Sequence, residues 1–191
     1  MTHPDVSKIL EELDGNRSKF EHFCGLLTGE ELDRATPSST WIVRDFIAHL
    51  ATIDGPVMRM FQNVHLGSGR GFTESNGRGW NVDTWNEGQV LSRRNQTVEA
   101  TLVEARASRA AIRQVMETFS AEDLVFEFRF GGDVKRPATT VTIGNYLRGW
   151  CKHDPIHVVD MLRALPERLT PDVRAWVDDP LIAGYQKAMN V

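Results

Sequence analysis

Cysteine is scarce. Cys24 and Cys151 are the only two in 191 residues, and they lack the C-x-x-C spacing of a zinc or thioredoxin-type motif. That excludes a disulfide framework, and the expectation is a reduced, cytoplasmic protein. Long apolar runs are missing too: no stretch approaches the ~18 residues of a membrane-spanning helix. The opening MTHPDVSKILEELD is acidic and amphipathic and does not read as a secretory signal. Neither sign of charge dominates. The 22 Lys and Arg stand among 26 Asp and Glu, for a net charge of −4, which offers nucleic acid or an anionic membrane no electrostatic footing. A G-x-S-x-G elbow is absent, so no serine-hydrolase triad is indicated. The GSGRG at 67–71 follows no strand and precedes no GK[ST], which removes the phosphate-loop reading.

What is present is helical periodicity. At 41% hydrophobic residues the chain can supply a sizeable core, and its length suits one domain over residues 1–191. A first helix is expected over about residues 4–27, on Val6, Ile9, Leu10, Leu13, Phe20, Phe23, Cys24 and Leu27, weakened at Gly15 and Asn16. A second runs over about 42–65, on Val43, Phe46, Leu50, Ile53, Val57 and Phe61, with a kink at Pro56. A third runs from a T-W-N-E capping box at residue 83 or 84 to Phe119. Its Arg93, Arg94, Glu99, Glu104, Arg106, Arg109 and Arg113 read as a solvated face. Between 124 and 130 the period drops to two, with Phe126, Phe128 and Phe130 alternating. That predicts a short hairpin through Gly131-Gly132-Asp133 to a return arm over 134–140. A fourth helix spans 142–165, and Pro171 and Pro180 open two short C-terminal helices. The glycine-rich segment 66–82 can extend more than ~50 Å, against ~36 Å for the second helix. It can therefore cross the bundle and leave the second and third helices parallel. Pattern alone gives a four-helix bundle.

Chemistry enters through histidine. His153 and His157 are four apart on the fourth helix, so both imidazoles project from one face, one turn apart, and neutral ring nitrogens at that spacing can chelate Zn²⁺, Ni²⁺ or Fe²⁺. His49 flanks the apolar stripe of the second helix, and histidines at stripe edges can meet where two helices pack. Cys151 and His22 read as core and surface respectively, and Asp45 as a first-turn residue complementing the helix dipole.

The segments W-I-V-R-D-F-I-A-H-L (41–50), V-D-T-W-N-E (82–87) and H-D-P-I-H (153–157) together resemble the DinB/YfiT-like superfamily, over about residues 5–165. That family includes metal-dependent hydrolases, thiol-dependent S-transferases and mycothiol-dependent maleylpyruvate isomerases. The resemblance implies an all-α, up-down-down-up four-helix bundle with a short β-hairpin between helices 3 and 4, and residues 166–191 as a helical extension. It implies a divalent metal held by His49, His153 and His157. Asp83, Asn86 and Glu87 are candidates by resemblance for supporting the site, and Asp154 by adjacency. Two positions depart from the family pattern: Ile42 replaces the usual Ser or Thr cap, and Pro155 between the two histidines is expected to kink the helix.

Three neutral His ligands leave coordination positions open, which suits catalysis on a small-molecule substrate. Two chemistries follow: hydrolysis by activated water, or attack by a low-molecular-weight thiol on an electrophilic carbon. Arg70 and Arg78, in the glycine-rich segment, are candidates for gripping a carboxylate on thiol or substrate. The competing class is a non-catalytic, stress-related bundle that binds metal or a small ligand. The apolar C-terminal residues Trp176, Leu181, Ile182 and Tyr185 are expected to cover one end of the bundle or to form a homodimer.

Overall fold

The computed structural model describes residues 2–37, 39–65, 81–130 and 138–189. Each long helix of the bundle except the first is built from two pieces. α1 (Pro4–Gly25) is continuous, and a single turn, α2 (Gly29–Leu32), follows it with the capping box of Thr28 and Glu31. The second bundle helix is α3 (Val43–Thr52) plus α4 (Asp54–His65), broken just ahead of Pro56 as its missing N–H requires. The third is α5 (Val82–Arg93) plus α6 (Val98–Met116), and the fourth α8 (Ile143–Cys151) plus α9 (His153–Leu162). Between them lie α7 (Ala121–Val125) and the antiparallel pair β1 (Glu127–Phe130) and β2 (Thr139–Thr142). A 3-10 turn at Pro166–Arg168 leads to α10 (Pro171–Val177) and α11 (Pro180–Met189).

Ion pairs between helices fix their directions. Asp45 pairs with Arg94 and Asp54 with Arg109, so residue numbers rise together and the second and third helices run parallel. Asp14 pairs with Arg113 and Glu21 with Arg106, so the first and third run antiparallel. Glu12 reaches Lys152 and Arg17 reaches Asp154, which makes the first and fourth parallel. The bundle is therefore up-down-down-up. Two apolar clusters fill it, one around Leu13, Phe61, Ile112 and Leu147, the other around Phe20, Leu50, Leu102 and Met161. Val173, Trp176 and Val177 of α10 pack on the second cluster, so the C-terminal segment covers part of the bundle. No helix among the described residues is long and apolar enough to cross a membrane.

Several expectations needed correction. The third helix is interrupted between Arg93 and Val98, where Thr97 caps a new start by accepting from Ala100 N. It begins a residue or two early, because the Asn81 side chain caps it rather than a box at 83 or 84. Leu124 belongs to α7, and Phe126 ends that helix exposed, so only from residue 127 does the chain pair as a strand. Among the described residues the return arm is Thr139–Thr142, in register with Phe130 to Glu127, and so reaches two residues past the expected end at 140. Thr142 also caps α8, through Asn145 N. At Gly144 a Cβ would lie 2.9 Å from the Leu124 carbonyl oxygen, so glycine is what lets α8 pack against α7. Asp45 does more than face the helix dipole: buried, it accepts from Ile42 N at 3.0 Å and pairs with Arg94 through both oxygens. It thereby satisfies the Ile42 N–H, the half of a capping box that does not need a polar side chain at residue 42. The glycine-rich segment 66–80, with Arg70 and Arg78, and the turn 131–137 lie outside the described residues.

Candidate metal centre

His49 points from the last turn of α3, and His153 and His157 from successive turns of α9. All three offer one ring nitrogen within 4.8 Å of the others. His153 Nε2 and His157 Nε2 stand 3.1 Å apart. Two nitrogens bound to one ion at ~2.1 Å stand ~3.0–3.4 Å apart for bond angles near ~90–109°, so this pair has the bite of a chelate. Pro155 kinks the helix without opening that bite. Lys152 takes the break at φ −89°, ψ 1°, and α9 restarts at His153 with Pro155 in its first turn.

Aromatic rings wall the three imidazoles. Trp150 stacks on His153 with centroids 4.3 Å apart and planes 18° from parallel. Phe46 lies 5.6 Å from His157, and Trp41 lies 5.3 Å from His49. Burial, then the nearby His157, hold the His49 imidazole well below the usual histidine range; the Asn86 amide acts weakly the other way. His153 is pushed well below it too, by burial first, then by His157, His49, Arg109 and Arg17. Both rings are therefore neutral at pH 7, with lone pairs to offer.

His157 has a partner on its other nitrogen. Its Nδ1 lies 3.0 Å from Asp160 Oδ2, so the carboxylate accepts from Nδ1 and turns Nε2 toward the other two histidines. Burial raises the Asp160 carboxyl, but the hydrogen bond and charge of His157, with Gln186 and Arg163, outweigh it and hold it below the usual range. Three polar atoms here are buried with no hydrogen-bond partner among the described residues: His49 Nδ1, His153 Nδ1 and Asn86 Oδ1. Three converging ring nitrogens, two on rings that burial keeps uncharged and one on a ring oriented by a carboxylate, fit a divalent ion of the Zn²⁺, Ni²⁺ or Fe²⁺ kind.

The other candidates fall in three places. Asn86 is buried beside His49. Glu87 accepts from Trp41 Nε1 at 3.1 Å, so it anchors the indole beside His49. Asp83 is exposed in the first turn of α5. Asp154 is adjacent to His153 in sequence, yet both its oxygens are taken by arginines. Arg17 grips it through Nε and Nη2 at 2.9 and 3.0 Å, and Arg109 Nη2 donates at 3.2 Å.

Arg109 overturns its reading as part of a solvated face. It is buried, donating to Asp54 at 2.7 Å and to the Leu13 carbonyl at 3.2 Å. The result is a buried cluster of two arginines and two aspartates, which Trp150 joins by donating Nε1 to Asp54 at 3.0 Å. Burial works against the Arg109 cation, but Asp154 and Asp54 more than reverse that and raise it above its ordinary range. Arg17, Asp54, Asp160 and Trp150 were not singled out from sequence as site residues. Asp160 was within reach, since H-x-x-D on one helix face is the spacing of a carboxylate that orients a ligand histidine.

Both cysteines are buried and free. Burial raises the Cys24 thiol well above its usual range and pushes Cys151 up to about 12.

The fold is similar to that of YfiT from Bacillus subtilis, described as a probable metal-dependent hydrolase with an unusual four-helix bundle topology. The TM-score is 0.62 at 15% identity, covering 87% of both chains. It is also similar to the mycothiol-dependent maleylpyruvate isomerase, with a TM-score of 0.61 at 14% identity over 82% of this chain. A mutant of that isomerase gives 0.60 at 13%. The match covers 60% of the isomerase, so this chain corresponds to only part of that protein. At such identities the likeness shows the fold alone. No curated protein matches. The family model described as the DinB superfamily matches residues 12–176, most of the chain, and this protein belongs to that superfamily.

Proposed function

We propose that this protein is a divalent-metal-dependent enzyme acting on a small electrophilic substrate, as a thiol-dependent S-transferase or isomerase, or as a hydrolase. The observation that carries the reading is the convergence of one nitrogen each from His49, His153 and His157 within 4.8 Å. These three would hold the ion and leave one to three coordination positions free. When bound, the ion supplies Lewis acidity, which lowers the pKa of a water or thiol and polarises a substrate oxygen.

The chain's own residues do the rest. Burial keeps His49 and His153 unprotonated, and Asp160 holds the proton at His157 Nδ1. Trp41, Phe46 and Trp150 exclude water from the rings they pack on. Asn86, buried beside His49, offers its side-chain amide to a polar group of thiol or substrate. Arg70 and Arg78 are assigned to a carboxylate on either molecule.

The test begins with metal content of protein purified without chelator. Turnover of an electrophile is then measured with and without a low-molecular-weight thiol such as mycothiol. One equivalent of metal and thiol-dependent turnover establishes the transferase or isomerase, and metal-dependent turnover of esters without thiol the hydrolase. Metal without turnover in either assay favours the non-catalytic, stress-related binding protein. Absence of metal under loading conditions overturns the reading. Alanine at Arg70 or Arg78 should weaken thiol binding by about 1.5–3 kcal/mol at constant metal content. A cytoplasmic setting and a homodimer belong to the same proposal; light scattering giving the mass of one chain removes the dimer.

A further inference from the structure

We infer that the C-terminal helix positions a ligand of this centre, through the hydrogen-bonded series Gln186–Asp160–His157. The inference rests on the metal reading above and assigns a role to α11, which lies beyond the residues that the family match covers.

α11 is tied to the fourth bundle helix at two points. Near its start, Asp179 pairs with Lys152 at 2.7 Å and accepts from Leu181 N at 2.8 Å. Farther along, Gln186 Nε2 donates to Asp160 Oδ1 at 3.2 Å and to the Ile156 carbonyl at 3.4 Å. Lys152 immediately precedes His153, and Asp160 follows His157 by three residues, so the two ties bracket both histidines. Between them on α11, Ile182 is buried while its neighbours Leu181 and Ala183 are exposed, so this face of α11 is held against the protein.

The geometry of the carboxylate transmits the tie. Arg163 Nη2 donates to Gln186 Oε1, which turns the amide so that its NH₂ faces Asp160. The two carboxylate oxygens are coplanar, so holding Oδ1 fixes where Oδ2 points. Oδ2 is the atom that His157 Nδ1 meets at 3.0 Å. The ring rotation of His157, and with it the direction in which Nε2 points, is set from outside the bundle. His153 is set differently: its Nδ1 has no hydrogen-bond partner among the described residues, and its ring plane is held by stacking on Trp150. Gln186 is thus a positioning residue for one of the three ligands. Loss of such a support weakens metal binding by 10–100-fold in metalloproteins generally, and a partner one step further out should lie at the low end.

The experiment uses the full chain and Co²⁺ as probe, with affinity read by competition against a chromogenic chelator and coordination read from the visible absorption bands. Gln186→Leu keeps the bulk and removes the amide, and Gln186→Asn retracts it by one methylene, so the test stands if either one folds. Asp160→Ala removes the carboxylate, and Lys187→Ala, at an exposed position of α11, is the control. We expect roughly 5–10-fold weaker Co²⁺ binding for the Gln186 variants, with shifted bands, and no change for Lys187→Ala. Combining Gln186→Leu with Asp160→Ala should bind no more weakly than Asp160→Ala alone, because Gln186 acts only through Asp160. Wild-type protein that binds Co²⁺ beside Gln186 variants of unchanged affinity and spectrum overturns the inference alone. Additive losses in the double variant also overturn it. Wild-type protein that binds no Co²⁺ overturns the metal reading and this inference with it.

Discussion

The Asn16 side chain donates to the Cys151 carbonyl oxygen at 2.7 Å, and Cys151 is the residue four before Pro155. In an unbroken helix that carbonyl would accept from the N–H of residue 155, which proline lacks. Asn16 also accepts from Trp176 Nε1 at 2.8 Å through its Oδ1. One amide therefore satisfies the carbonyl freed at the kink and fastens α10 to the bundle. The polar residue that weakens α1 as an isolated helix thus caps the carbonyl left free by the proline between His153 and His157.

Replacing Asn16 with Leu should lower stability by about 1–3 kcal/mol, because a buried carbonyl and a half-buried indole N–H both lose a partner. Denaturant unfolding of the metal-free protein measures it. An unchanged midpoint would show that water or rearrangement fills the gap.

Arg109→Met should be among the most damaging single changes, about 3–5 kcal/mol, since it leaves Asp54 and Asp154 buried with one arginine between them. Changing Arg109 and Asp54 together to apolar residues should recover part of the loss, leaving Arg17 and Asp154 as a pair. Thermal unfolding of the single and double variants checks both statements, and a double variant worse than the single contradicts them.

After chelator treatment, stability should fall as pH drops below the ordinary histidine value of 6.5. His49 and His153 are depressed in the folded state, so the unfolded chain takes up their protons first. Their contribution is fully present above 6.5 and is lost as pH descends through the folded values. Melting temperature between pH 7.5 and 5 reads the effect. His153→Phe should flatten the profile, and an equally steep one would assign the slope to other groups.

A second acid-sensitive element joins α2 to the chain after α9. Arg168 meets Glu31 through Nε and Nη2 at 2.6 and 2.7 Å, and that pairing, with backbone N–H of Thr28, lowers the Glu31 carboxyl from 4.5 to about 2. The stability it gives is present above 4.5 and is lost as pH falls toward 2. Glu31→Gln should lower stability most at neutral pH and progressively less in acid, so its unfolding midpoints at pH 7 and pH 3 should lie closer together than those of the wild type.

The sequence by itself determined the helical stretches, both proline kinks, the late hairpin and the histidines worth watching. These are local properties: apolar spacing, missing N–H groups and i, i+4 geometry act over a few residues wherever the chain goes. The break at residues 94–97 was not legible, because Asp45 anchors Arg94 from another helix. Arg109 reads as one more surface cation on a charged helix face, and only the arrival of Asp54 from α4 and Asp154 from α9 makes its burial favourable. Likewise Asp160 and Gln186 are 26 residues apart, and nothing local joins them. Tertiary structure decided which polar groups face one another inside the bundle. Pairing of buried charges and amides depends on the register and direction of whole helices, and no single helix encodes that.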